Sequence, residues 1–208
     1  MLQHLSILHL SFKMQHHVKR IITLIFVFIS LASLGQTTWK SDKNHSKLTF
    51  MVTHLGISDV LGMFSDFDVT IVASKPDFSD SKFELTAQTA SLTTSVEKRD
   101  NHLRSADFFN VEKNPALTFK SSSLTKSTGD NKYKLAGDLT INGITRPATL
   151  DLWYRGTINN PGSKAPTAGF QLTGTIKRSD YSFGPKFTPP MLSDEVAIRA
   201  DGEFSPNN

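Results

Sequence analysis

The chain has 208 residues, of which 38% are hydrophobic and 20% charged, and it contains no cysteine. This length predicts one domain with a core large enough to be stable without cross-links. The lack of cysteine excludes disulfides, cysteine-ligated metal sites, thiol catalysis and a lipid-modified cysteine at the amino terminus.

The amino-terminal segment has the composition of a secretory signal peptide. Lys19 and Arg20 precede an apolar run over residues 21–31, and small residues follow at 33 and 35. A basic region, a short apolar stretch and a cleavage site with small residues are the three parts of such a signal. The run is shorter than the roughly 20 residues that span a bilayer, although an uncleaved anchor is the alternative. Met14 is an alternative start of the chain.

We therefore predict two parts, a cleaved signal peptide over 1–35 and a mature domain over 36–208, located in the periplasm or secreted. The formal net charge of +4 comes mostly from Lys13, Lys19 and Arg20 in the leader. The mature part keeps 20 of the 23 basic residues against all 19 acidic ones. A net charge of +1 excludes a nucleic-acid partner and, with the leader removed, gives no reason to expect stable membrane insertion.

Alternation of apolar and polar residues, which is typical of antiparallel strands, dominates the mature part. The predicted strands are, in order, 38–42, 46–54, 67–73, 81–92, 116–124, 132–141, 144–157, 168–178 and 195–204. The first of these is short and doubtful, so we count about eight. Asn142-Gly143 lies between two apolar residues and is a strong hairpin signal, and 128–131 predicts a second tight turn. Short turns of this kind join antiparallel neighbours.

One polar stretch, 93–107, has helical spacing and predicts a short helix, with Thr94 as its cap and Glu97 three residues on. Its charges are either a solvated face or a partly buried ion-pair network, in which Asp107 pairs with Arg104 or Arg178. We favour the network, because two phenylalanines follow at 108 and 109 and are expected to insert into one end of the fold.

About eight antiparallel strands must close into a barrel or pair as a sandwich to hide their apolar faces. An eight-stranded barrel is either filled by side chains or holds one small ligand. The side chains predicted to face inward, as a ligand-binding wall or as plain core, are Leu48, Phe50, Val52, Phe67, Val69, Ile71, Phe83, Leu85, Leu117, Phe119, Leu150, Leu152, Tyr154, Phe170 and Leu172.

Catalytic and metal chemistry have little support in the sequence. No Gly-x-Ser-x-Gly elbow and no glycine-rich phosphate loop occurs, so we predict no enzyme activity and no catalytic residues. The mature histidines are His45, His54 and His102, and the first two are expected on opposite faces of an unbroken strand. We predict no metal site.

Several motifs occur in a fixed order along the mature part. They are 39–42 (WKSD) with 45–46 (HS), 54–64 (HLGISDVLGMF), 99–109 (RDNHLRSADFF) with 114–115 (NP), 137–147 (GDLTINGITRP), 178–180 (RSD) and 194–196 (DEV). Together they resemble the YceI-like family of polyisoprenoid-binding proteins, and the 99–109 block is the most specific. One departure is an extra residue before Gly184, which puts the geometry of the loop after 168–178 in doubt.

The resemblance implies an all-β fold, an eight-stranded antiparallel lipocalin-like barrel with a short helix between strands. It also implies a periplasmic or secreted carrier that holds a polyisoprenoid, such as an isoprenoid quinone, in an apolar tunnel, with no other cofactor required. Two alternatives remain open: a stress-response or interaction protein with an incidental lipid, and an undetected enzyme acting on an apolar substrate. A homodimer is also left open.

Overall fold

The computed structural model describes residues 35–207 of the chain. The predicted signal peptide therefore lies outside the described residues, apart from Gly35, and its cleavage stays a prediction. Among the residues described, no helix is long and apolar enough to cross a membrane.

The described part consists almost entirely of strands. The strands are β1 (Thr37–Ser41), β2 (Lys47–His54), β3 (Ser58–Phe64), β4 (Phe67–Ala73), β5 (Lys82–Gln88), β6 (Leu92–Thr93), β7 (Ala116–Lys126), β8 (Lys132–Ile141), β9 (Ile144–Asn159), β10 (Pro166–Lys177) and β11 (Leu192–Pro206). The helix α1 (Glu97–Arg104) follows β6, and short 3₁₀ turns occupy Thr89–Ser91 and Arg178–Tyr181.

The strands close into an antiparallel barrel. Neighbours around the ring follow the order β1, β4, β5, β7, β8, β9, β10, β11, and β1 pairs with β11 to complete it. Two positions in the ring are each occupied by two strands in succession, β1 with β2 and β3 with β4. Strand β2 pairs with both β11 and β3. The barrel thus has eight strands, two of them interrupted, with α1 as its helix. The predicted fold class is confirmed.

Two local predictions were wrong or incomplete. Strand β3 was missed, because Asp59 and Gly62 interrupt its apolar alternation. The helix covers Glu97–Arg104 rather than 93–107, and its cap is Val96, with no side-chain hydrogen bond. Thr94 does not cap the helix, because its hydroxyl donates to the Asp100 carboxylate instead.

One end of the barrel is plugged by the loop between β4 and β5. Phe78 adopts a left-handed backbone conformation (φ 57°) that turns its ring into the barrel. The ring centroid lies 5.1 Å from those of Trp39, Tyr154 and Phe170. Aromatic packing of this density leaves no room for a ligand at that end, so any cavity must lie toward α1.

Candidate ligand-binding cavity

The interior of the barrel holds a cavity of about 430 Å³. Side chains from most strands of the ring form its wall, and α1 and the loop between β10 and β11 border its other end. Small-molecule sites usually measure about 300–1,000 Å³, so the space suits one modest organic ligand.

Most of the side chains predicted from strand alternation lie in this wall. They are Leu48, Phe50, Val52, Phe67, Val69, Phe83, Leu85, Leu117, Phe119, Leu152, Phe170 and Leu172, with Leu150 among them as well. The structure brings these residues together around one space. That they bind a ligand stays a prediction.

Ile71 and Tyr154 do not lie in the cavity wall. Ile71 is fully buried in the core cluster that also holds Phe78. The Tyr154 ring packs against Phe78 and Phe170, and its hydroxyl lies 2.7 Å from that of Thr157. The sequence correctly predicted that both side chains face the interior, but Phe78 fills the space beside them.

The wall also contains residues that strand alternation did not supply. Val60 comes from the missed strand β3, and His102 and Leu103 come from α1. Val196 and Ile198 lie on β11, where the alternation was visible in the sequence but was not assigned to the ligand wall.

Aromatic rings border the α1 end of the cavity. Phe108 stacks on Phe187 with ring centroids 5.0 Å apart, and Phe109 meets Phe183 edge-on at 4.4 Å. Phe108 and Phe109 are buried, as the sequence predicted for this end. His102 packs edge-on against Phe108 at 5.1 Å, so this aromatic group lies between helix and loop.

The prediction that Asp107 pairs with Arg104 or Arg178 is wrong. The Asp107 carboxylate pairs with Lys186 at 2.9 Å and with His102 at 3.3 Å, at a partly exposed position. Hydrogen bonding from Lys186, and then from His102, holds the pKa of Asp107 below its usual range. Arg104 donates instead to the carbonyls of Ala90 and Leu92.

Asp100 is the buried acidic residue of α1. Its carboxylate accepts hydrogen bonds from the Thr94 amide at 2.8 Å and from the Thr93 hydroxyl at 3.0 Å. Burial by itself would raise the pKa of Asp100, but the bonds from Thr94 and Thr93 outweigh it and lower the pKa. Arg99 also donates to Thr94, which ties the helix to the residue that follows β6.

Ser46 contributes a polar group to the mostly apolar wall. Its hydroxyl is buried and has no hydrogen-bond partner in the described part of the chain. Gly202 also borders the cavity, and a β-carbon there would lie 3.0 Å from both the Ser46 Oγ and the Phe204 ring. An unpaired buried hydroxyl costs about 1–3 kcal/mol, and a ligand carrying one polar group could satisfy it.

Asp42, His45 and Glu203 bring potential metal-ligand atoms within 4.8 Å of one another. The sequence did not show this group, because Glu203 is distant along the chain. The existing hydrogen bond of 2.8 Å from His45 to Asp42 raises the pKa of the histidine. This pairing accounts for the geometry without an ion, and the expectation of no metal site stays a prediction.

Replacing Gly184 by alanine is expected to destabilise the protein by about 2–4 kcal/mol. Gly184 has a left-handed backbone (φ 61°), and a β-carbon there would overlap the Phe108 ring. Urea denaturation measures the change in the free energy of unfolding. Gly56→Ala is the matched control, because its φ is 70° but the nearest atom to a β-carbon lies 3.9 Å away. An equal decrease in the free energy of unfolding in the two variants would contradict a packing role for Gly184.

The sequence profile of the YceI-like domain matches residues 39–204. The chain belongs to the YceI-like family. A UPF0312 protein of Staphylococcus aureus (strain N315) is 38% identical over 175 residues, which is 81% of this chain and 98% of that protein. The crystal structure of a Campylobacter jejuni YCEI protein is 33% identical, with a TM-score of 0.68 over 75% of this chain and 90% of that one.

A more distant solved structure has the same fold. It is a polyisoprenoid binding domain from Saccharophagus degradans, 14% identical, with a TM-score of 0.63 over 82% of this chain and 99% of that one. At this identity the likeness concerns the barrel alone. The family assignment rests on the profile and on the Staphylococcus and Campylobacter proteins.

Proposed function

We propose that this chain binds an isoprenoid lipid in its barrel cavity and carries it in the periplasm or outside the cell, after removal of residues 1–35. The observation that carries the proposal is the apolar cavity of about 430 Å³, plugged at one end by Phe78 and bordered by aromatic rings at the other. Burial of apolar surface contributes roughly 25 cal/mol per Å², so a prenyl chain needs few polar contacts to bind.

The shape and chemistry of the wall favour a branched chain with one polar end. Phenylalanine and leucine dominate the lining, and Ser46 offers a hydroxyl. An isoprenoid quinone or a polyprenyl alcohol has this combination. The Saccharophagus domain, which shares the fold, is described as polyisoprenoid-binding, and this supports the same ligand class for the present chain.

The test is the lipid content of the purified exported protein. The full chain is expressed with its own amino-terminal segment, recovered from the exported fraction, and analysed by native mass spectrometry and organic extraction. We expect one prenylated lipid per barrel and an amino terminus near residue 36. An empty barrel that takes up neither a prenyl quinone nor a prenyl alcohol would overturn the carrier proposal.

The same samples separate the carrier from its alternatives. A carrier returns the added prenyl quinone chemically unchanged after release, whereas an enzyme acting on an apolar substrate returns a product. A protein whose lipid is incidental would bind a straight-chain fatty acid as tightly as a prenyl quinone of similar length. We expect the prenyl quinone to bind more tightly and to be recovered intact.

A further inference from the structure

The hairpin between β2 and β3 and the loop before β11 expose large aliphatic side chains to solvent. Ile57 is 85% exposed, Leu61 60%, Leu55 50%, Met191 48% and Met51 40%. Exposed apolar residues are common singly, but a contiguous group usually marks an interaction surface. We call these five residues the hairpin patch.

The five residues form two neighbouring groups: Leu55, Ile57 and Met191 lie at the tip, and Met51 and Leu61 lie on the outer face beyond the Thr53–Asp59 pair. Leu55 donates its amide to the carbonyl of Met191 at 3.1 Å, which joins the hairpin tip to the loop before β11. Met51 and Leu61 are direct partners in the ladder of β2 and β3, and both point away from the barrel interior. Ile57 lies in the turn between these strands.

The patch adjoins the α1 end of the cavity, which we call its mouth. Val52 and Val60 are partners in the same hairpin and face the cavity, one position along from Met51 and Leu61. Met191 belongs to both the patch and the cavity wall. The other end of the barrel is plugged by Phe78, so a lipid that enters or leaves on this side passes the hairpin patch.

The chemistry of the patch fits a lipid bilayer better than a protein partner. Its members are leucine, isoleucine and methionine, whereas protein interfaces draw much of their binding energy from Trp, Tyr and Arg. The charged residue of the hairpin turn region is Asp59, and its carboxylate accepts a hydrogen bond from Thr53 at 2.8 Å. Without a basic cluster in the patch, association is expected through apolar insertion rather than attraction to anionic lipid.

We propose that the hairpin patch inserts into the surface of a neutral phospholipid bilayer and transfers the isoprenoid between the bilayer and the cavity. This inference rests on the proposed carrier function. Insertion removes the aliphatic side chains from water and places the cavity mouth against the lipid phase, so the prenyl chain avoids crossing water.

The test measures binding to vesicles and, separately, uptake of a prenyl quinone. Phosphatidylcholine vesicles containing a prenyl quinone are mixed with the wild-type protein, with the double variant Ile57→Ser, Leu61→Ser, and with Ile158→Ser. Ile158 is the matched control, because it is 64% exposed and pairs with Thr167 at the start of β10, far from the mouth. Quinone uptake is also measured from a detergent dispersion without vesicles.

We expect the wild type and Ile158→Ser to co-sediment with vesicles at low and high salt. The affinity of the double variant for the vesicles should be at least about tenfold lower. Uptake from the dispersion should be equal in all three. Vesicle binding that is absent in the wild type, or undiminished in the double variant, overturns the inference. Failure of uptake from the dispersion by the wild type overturns the carrier proposal instead, while the sedimentation result still decides whether the patch binds bilayers.

Discussion

Leu85→Trp is expected to reduce the uptake of a prenyl quinone by about tenfold or more while the protein still folds. Leu85 lies in the cavity wall and is only partly buried, which indicates that its side chain borders empty space. A larger side chain there occupies the cavity rather than overpacking a filled core. The indole displaces the apolar volume that the prenyl chain would fill.

The measurement is quinone binding by fluorescence or extraction, beside urea denaturation. Thr86→Trp is the matched control, since Thr86 is the next residue of β5 and is exposed on the outer face. Val69→Trp provides a second test, because Val69 is the ladder partner of Leu85 and also lines the cavity. Normal uptake by Leu85→Trp and Val69→Trp with the fold intact would mean that the ligand binds elsewhere.

Much of this wall could be predicted from the sequence because alternation in a strand fixes which side chains share a face. Phe83 and Leu85 are two residues apart and both face inward, as their spacing requires. Alternation does not reveal how far the interior is open. Ile71 and Tyr154 were assigned to the correct face, but Phe78, a loop residue with an unusual backbone conformation, fills the space beside them.

The contacts at the α1 end were harder to predict because they depend on chain segments that meet only in the fold. Asp107 was expected to pair with an arginine, yet Lys186, 79 positions away, reaches it from the loop before β11. Thr94 has the spacing of a helix cap, but the buried carboxylate of Asp100 competes for its hydroxyl. Local sequence rules identify the groups able to bond, and tertiary packing decides between them.

Arg178 illustrates the same limit, because nothing in the sequence marks it as the organiser of a loop. Its guanidinium is buried and donates to five backbone carbonyls, those of Phe183, Gly184, Phe187, Leu192 and Ser193. Arginine has five N–H groups, so every donor has a partner. Arg178 therefore holds the long segment between β10 and β11 in place, together with the stacking of Phe187 on Phe108 and the Lys186–Asp107 pair.

Arg178→Met is expected to lower the free energy of unfolding by about 3–5 kcal/mol, because it leaves five buried or partly buried carbonyls without this donor. Urea denaturation measures the loss. Arg146→Met is the control, since Arg146 is exposed and donates one bond of 3.3 Å to the Asp180 carbonyl. Substitution of this exposed residue should lower the free energy of unfolding by less than about 0.5 kcal/mol.

The same substitution is expected to change ligand release, because the segment that Arg178 holds carries Phe183, Phe187 and Met191 of the cavity wall. In Arg178→Met, amide hydrogen exchange should speed up over 183–193 before the rest of the barrel opens, and bound quinone should dissociate faster. Slow exchange in this loop together with unchanged quinone release would show that the loop keeps its position without the guanidinium. Arg178 would then stabilise the barrel generally and would not control the α1 end of the cavity.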